Sequence, residues 1–212
     1  MRDFPIFTSE NGVSSIYLKD VPYSGRAYIR IRSASDPAAL LEECVAFCRA
    51  VDSGSIYAAG HEILKDFPTY TSVVEMRCLL ESLPETDAAI FPLQKETLSQ
   101  WRDLYNQKMA NVDAASYLSC FDAEKVLKKG RGYFVHRNGK LLGIGIADGD
   151  TLEAVISAVP GAGADVLVAL THALTGESAR LEVASTNEKA IRLYERLGFL
   201  RVRELIKWHK IF

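Results

Sequence analysis

The sequence predicts an α/β protein, a mixed β-sheet flanked by helices, in two unequal parts; three observations lead there. Apolar residues alternate or run in short blocks bounded by turn residues, as strands do. Amphipathic segments with helical spacing stand between those blocks. The order strand, helix, strand recurs along the chain, which favours a mixed sheet covered by helices. At 212 residues the chain can bury a core without disulfide or metal staples.

Residues 16–18 and 27–31 read as strands, the second alternating through Tyr28, Ile29, Arg30, Ile31 and Arg32, with Pro22 and Gly25 marking a turn between them. Asp36 and Pro37 supply an N-cap and a first-turn proline, and Leu40, Leu41, Cys44, Val45 and Cys48 form the apolar stripe of a helix ending near Val51. Residues 55–59 resemble a short strand; residues 70–80 resemble another, with a helix start as the alternative. The polar, proline-containing stretch 83–87 is the predicted junction, giving an N-terminal α/β unit over residues 1–85 and a larger domain over 86–212.

In the second part a strand is expected at 88–93, a helix at 95–110 and a shorter one at 123–129 that stops at Gly130. Residues 133–136 and 141–146 flank Asn138-Gly139, whose readiness for positive φ makes a tight hairpin. The nearly all-apolar segment 152–159 should be a central strand. Gly161 and Gly163 open a helix with Val166, Leu167 and Leu170 inward, and strand 179–184, helix 187–197 and strand 200–208 complete the order.

Composition excludes several classes. With 25 basic and 27 acidic residues mixed along the chain, no broad field attracts a polyanion, so nucleic acid is not an expected partner. No apolar run is long enough to span a membrane, and the opening MRDFPIFTSENG has no leader pattern. Cys44 and Cys48 lie one helical turn apart on an apolar stripe while Cys78 and Cys120 stand alone, which fits small thiols in a reduced, cytoplasmic setting. His61, His136, His172 and His209 are scattered without metal-ligand spacing, and no metal is expected.

Residues 187–199 carry the strongest signal. Ala190, Leu193, Tyr194 and Leu197 share one helical face and Glu188, Lys189, Arg192, Glu195 and Arg196 the other, with Asn187 or Thr186 to cap the start and Gly198 to stop it. Asn187, Ala190, Ile191, Leu193, Tyr194, Leu197, Gly198 and Phe199 also match the N-x-x-A-I-x-L-Y-x-x-L-G-F signature, so this part resembles the GNAT (GCN5-related) N-acetyltransferases. The element order from residue 88 to the end is similar to that family as well. The resemblance covers the C-terminal three-fifths and implies a GNAT-like sheet over 86–212.

The resemblance implies acetyl-CoA as cosubstrate, with its pantetheine arm between parted strands and its diphosphate at a glycine-rich helix start. There, unpaired N–H groups and the helix dipole favour an anion. Gly161, Ala162, Gly163 and Ala164 stand where the family has that stretch. The family usually places Arg or Gln three residues before the first glycine, and here the residue is Ala158. By resemblance Tyr194 gives the proton to the leaving thiolate, a main-chain N–H near Ile156 or Ser157 meets the developing oxyanion, and Asn187 opens the signature helix. Glu153, the carboxylate inside an otherwise apolar strand, is the expected base, with Asp150 and Glu182 as substitutes. Trp101, Tyr105 and Tyr117 fall in the region that shapes the acceptor pocket in the family.

The implied function is direct transfer of an acetyl group to an amine, on a small molecule or a protein. The other reading is a catalytically silent acyl-CoA-binding sensor or interaction module. Residues 1–85 are either an accessory unit or a degenerate GNAT-like half.

Overall fold

The structure, a computed structural model, describes residues 5–212; the first four residues of the opening stretch considered for a leader lie outside them. The chain runs β1 (Ile6–Ser9), β2 (Gly12–Tyr17), a helical turn α1 (Val21–Ser24), β3 (Arg26–Ala34), α2 (Pro37–Ala50), β4 (Ser55–Ala59), β5 (Thr69–Leu79) and β6 (Ala89–Pro92). It continues with α3 (Leu98–Met109), α4 (Cys120–Lys128), β7 (Gly132–Arg137), β8 (Lys140–Asp148), β9 (Thr151–Ser157), α5 (Gly163–Thr171), β10 (Ser178–Ala184), α6 (Glu188–Arg196) and β11 (Leu200–Lys210). The mixed α/β architecture is the one the patterning predicts. Residues 70–80 belong to a strand, and the helix alternative falls. Among the described residues no helix is long and apolar enough to cross a membrane.

The chain divides into two compact units, Met1–Val73 with Glu204–Phe212, and Val74–Arg203. The junction expected at residues 85 and 86 does not coincide with this division. The stretch 83–87 only follows the short 3-10 turn Leu80–Ser82 that ends β5, and it lies inside the second unit. In this division the passages occur within strands: β5 leaves the first unit after Val73, and β11 re-enters it at Glu204. A polar, proline-bearing segment marks a turn as readily as a boundary, and an unbroken strand gives no compositional sign of passing between cores.

In the first unit β1, β2 and β3 pair antiparallel in succession, and β3 pairs parallel with β4 across the helix α2. The Asp36 carboxylate accepts the N–H groups of Ala38 and Ala39 at 3.1 Å each, capping α2. Leu40, Leu41, Cys44 and Cys48 of α2 pack on Ile16, Ile29, Ile56 and Ala58.

In the second unit β6, β7, β8 and β9 pair antiparallel in order, β9 pairs parallel with β10 across α5, and β5 follows β10. One face of this sheet is covered by α5 and α6 through Val166, Leu167, Leu170, Ile191 and Tyr194. On the other face, Trp101 and Tyr105 of α3 and Ala123 and Val126 of α4 pack on Ile144, Ile146, Ala154 and Ile156. The helix α5 lies so near β8 that a Cβ on Gly143 would press on Val166, and one on Gly145 on Leu170. Both units therefore contain the order antiparallel strand pair, helix, parallel strand: β2-β3-α2-β4 and β8-β9-α5-β10.

Candidate functional site

The two copies of that order differ at one decisive place. In the first unit the parallel ladder is continuous, from Arg26 opposite Ser55 to Arg30 opposite Ala59. In the second, β9 and β10 share only Thr151 opposite Arg180 and Leu152 opposite Leu181. Beyond Leu152 the two strands no longer pair, although β9 stays paired with β8 through Ser157. The ladder ends where β9 carries an extra residue: Ile146 faces Ala154 and Ala147 faces Leu152, leaving Glu153 unmatched in a bulge. An unpaired strand edge inside a sheet is a row of hydrogen-bonding groups that need partners.

Which groups face that edge follows from alternation. The Ala158 N–H donates to the Leu142 carbonyl at 2.8 Å, so the polar groups of Ala158, Ile156 and Ala154 turn towards β8. Those of Ser157 and Val155 then turn to the open edge. Of the two candidate donors, Ile156 is committed to the sheet and Ser157 faces the opening. Val155 was not singled out from sequence, because the parity of the strand depends on register. The Ser157 hydroxyl is itself buried without a hydrogen-bond partner, 3.9 Å from where a Cβ on Gly163 would stand.

Past β9 the chain turns through Gly161, at φ +85° with open space beside it, into α5. Ala162, the residue before the helix, gives no side-chain cap, so the first-turn N–H groups of Gly163 and Ala164 lack both an intrahelical and a capping acceptor. The helix α2 differs again, since the Asp36 carboxylate sits at its start. Ala158 offers no free main-chain group: its N–H meets Leu142, and its carbonyl accepts from the Lys108 ammonium at 3.3 Å. Asp165 adds a carboxylate to the first turn of α5, and Arg137 and Thr86 hold it.

The signature helix forms as its spacing predicts. Asn187 Oδ1 accepts the Ala190 N–H at 3.4 Å, and the chain turns at Gly198, φ +89°. Tyr194 is buried, its ring centroid 6.0 Å from that of Phe199, and burial pushes its phenol up to about 12. The hydroxyl thus stays protonated throughout the neutral range.

Glu153 does not meet the expectation of a desolvated carboxylate. It is exposed at the bulge, and its Oε1 accepts from Arg131 Nη1 at 2.8 Å. The carboxylate is engaged by an ion pair and open to solvent. Asp150 accepts the Thr151 hydroxyl at 2.8 Å. Glu182 is different: Leu181 and Val183 beside it enter the core under α5, so strand alternation places Glu182, exposed, on the opposite face of β10. Trp101, with no exposure and its indole N–H on the Tyr133 carbonyl, is a core residue, as is Tyr105 stacked near it; Tyr117 is half-buried in the α3–α4 connection.

No family model matches the sequence. No curated protein matches it either. Solved structures do. A conserved protein of unknown function from Staphylococcus epidermidis is similar with a TM-score of 0.59 at 13% identity, over 98% of this chain and 93% of that one. A GCN5-related N-acetyltransferase from Kribbella flavida is similar with a TM-score of 0.56 at 14% identity, over 99% of this chain and 89% of that one. A tandem GNAT protein from the clavulanic acid biosynthesis pathway is similar with a TM-score of 0.53 at 14% identity, over 96% and 81% respectively. The chain has the GNAT-like fold, on structural similarity that extends over nearly its whole length.

Proposed function

We propose that the chain is an acyl-CoA-dependent N-acetyltransferase, taking acetyl-CoA as cosubstrate and passing the acetyl group directly to an amine on a small molecule or a protein. The parting of β9 from β10 beyond Leu152 carries this reading. An extended thiol-bearing arm with amide groups is the kind of ligand an open strand edge accepts, and the Ser157 hydroxyl has a buried polar valence to offer it. The diphosphate would rest at the uncapped start of α5, on the N–H groups of Gly163 and Ala164, with Gly161 leaving room for close approach.

The cosubstrate supplies an acyl group already activated as a thioester. The Ser157 main-chain N–H, facing the opening, polarises the carbonyl. The phenol of Tyr194, kept neutral by burial, gives a proton to the departing thiolate, and Asn187 fixes the helix that holds it. Glu182 takes the proton of the incoming amine, directly or through water, in place of Glu153. The reduced, cytoplasmic setting belongs to this proposal and accords with the free thiols of Cys44, Cys48 and Cys78.

Calorimetric titration with acetyl-CoA and coenzyme A, followed by thiol release over a panel of amines, tests the reading. Binding with amine-dependent thiol release supports it; failure to bind either compound ends it. Binding without release would make the chain a silent acyl-CoA module, a reading that the outward ion pair of Glu153 favours. The first unit is best read as a degenerate GNAT-like half. It repeats the strand-helix-strand order with the ladder closed and the helix start capped, and a structural neighbour is itself described as a tandem GNAT protein.

A further inference from the structure

We propose that Lys108, at the last turn of α3, supplies to the coenzyme's diphosphate the positive charge that residue 158 does not carry. The inference rests on the coenzyme reading above and names a binding residue for it. Along the turn from Ala158 to Ala164 the sequence Ala-Val-Pro-Gly-Ala-Gly-Ala contains no cationic side chain. The ionisable group in the first turn of α5 is Asp165, a carboxylate engaged by Arg137 and Thr86. A dianionic diphosphate at this turn would meet backbone N–H groups and no local cation.

Lys108 fills that deficiency from another element. Its ammonium lies 3.3 Å from the carbonyl oxygen of Ala158, the residue where the cation is missing. The helix α3 is seated by Trp101 and Tyr105, both buried on the face of the sheet that carries Ile144 and Ile156. Positions 101, 105 and 108 follow helical spacing, so Lys108 stands on the same side of α3 as the two buried rings, one turn further on and exposed. An ammonium has three donors, and one carbonyl occupies one of them.

The chain beyond Lys108 is fastened as well. In the α3–α4 connection the Asp113 carboxylate accepts the Thr186 hydroxyl at 2.7 Å, in the turn between β10 and α6. The end of α3 is thereby attached beside the end of β9 through Lys108, and the connection beside that of β10 through Asp113. These contacts keep Lys108 next to the turn.

The same contact could merely finish α3, since cations are favourable at helix C-termini. The test therefore needs a readout that a structural role would not move. On the full chain, the affinities of coenzyme A, dephospho-coenzyme A and S-acetylpantetheine are measured for the parent, Lys108→Gln, Lys108→Arg and the double variant Lys108→Gln/Ala158→Arg. The expected result is a loss of roughly tenfold for both coenzymes in Lys108→Gln, shrinking towards none near about 0.5 M salt, since the contact is exposed. Affinity for S-acetylpantetheine, which has no diphosphate, should be unchanged. Lys108→Arg should keep most of the affinity, and the arginine at position 158 should restore what Lys108→Gln loses.

Equal affinities in the parent and Lys108→Gln overturn the proposal, as does a loss of the same size for S-acetylpantetheine. A loss confined to coenzyme A and absent with the dephospho form would assign Lys108 to the ribose phosphate instead, and the proposal fails there too. If the parent binds none of the three, the coenzyme reading itself has failed. Binding by the parent that Lys108→Gln leaves intact removes this inference alone.

Discussion

Leu193 of α6 lies over Gly163 at the first position of α5, so near that a Cβ on the glycine would stand 2.8 Å from Leu193 Cδ2. The obstacle is the free end of a flexible side chain, which can swing aside. Gly163→Ala should therefore cost no more than about 1 kcal/mol. Gly143 is confined differently: a Cβ there would meet the Ile156 carbonyl oxygen and the Val166 side chain, and backbone cannot step back. Gly143→Ala should cost about 3 kcal/mol. Denaturant unfolding of the two variants compares them, and equal losses would contradict the packing of α5 on β8 described above.

Tyr194→Phe should lower turnover by roughly a hundredfold while changing acetyl-CoA affinity little, because the phenol acts in proton transfer. The variant also has an alkaline signature. Burial lifts Tyr194 and Tyr28 from the ordinary 10.0 to about 12. A group raised on folding contributes stability that is whole below pH 10 and disappears as pH climbs through 12. For each tyrosine the amount is about 3 kcal/mol at most. Unfolding measured from pH 9 to 12 should fall less steeply in Tyr194→Phe than in the parent, and parallel curves would mean the phenol is not buried in solution.

Glu182→Gln is expected to reduce turnover at neutral pH by roughly tenfold or more, with the loss recovered in part at higher pH where the amine deprotonates unaided. Glu153→Gln should stay within about threefold of the parent, since its carboxylate is bound outward to Arg131. The reverse order of effects would return the base to the bulge. Thiol-release rates with one good amine acceptor decide between them.

How far the sequence could be read depended on whether a feature is local. The signature helix was legible to its cap and its stop, because Asn187 and Gly198 act on their immediate neighbours. Residues 55–59 form the short strand their pattern suggests. The short β1 and the single turn α1 carry too few residues to establish a period. The exposure of Glu153 was not legible in an apolar strand, because the bulge in which it sits depends on pairing with β8. The contact of Lys108 with Ala158 was invisible for a related reason: fifty positions separate the two residues.

Asp36→Ala should cost about 1 kcal/mol, the usual value of a capping carboxylate that accepts N–H groups from the first turn. Because α2 belongs to the unit with the closed ladder, coenzyme A affinity is expected to remain at the parent value. A clear drop in affinity would show that the first unit takes part in binding. Chemical denaturation and calorimetry on the same sample measure both quantities.

The passage of β5 and β11 between the two units has a consequence for the order in which the protein can be made. The first unit includes Glu204–Phe212, so it stays incomplete at the ribosome until those residues have been translated. Its earlier strands must wait, with the edge that β11 will cover exposed to any passing chain. Cutting the gene at codon 86 would fix that delay permanently: one fragment would lack Glu204–Phe212, the other would lack Val74–Leu79, and neither would hold a whole sheet.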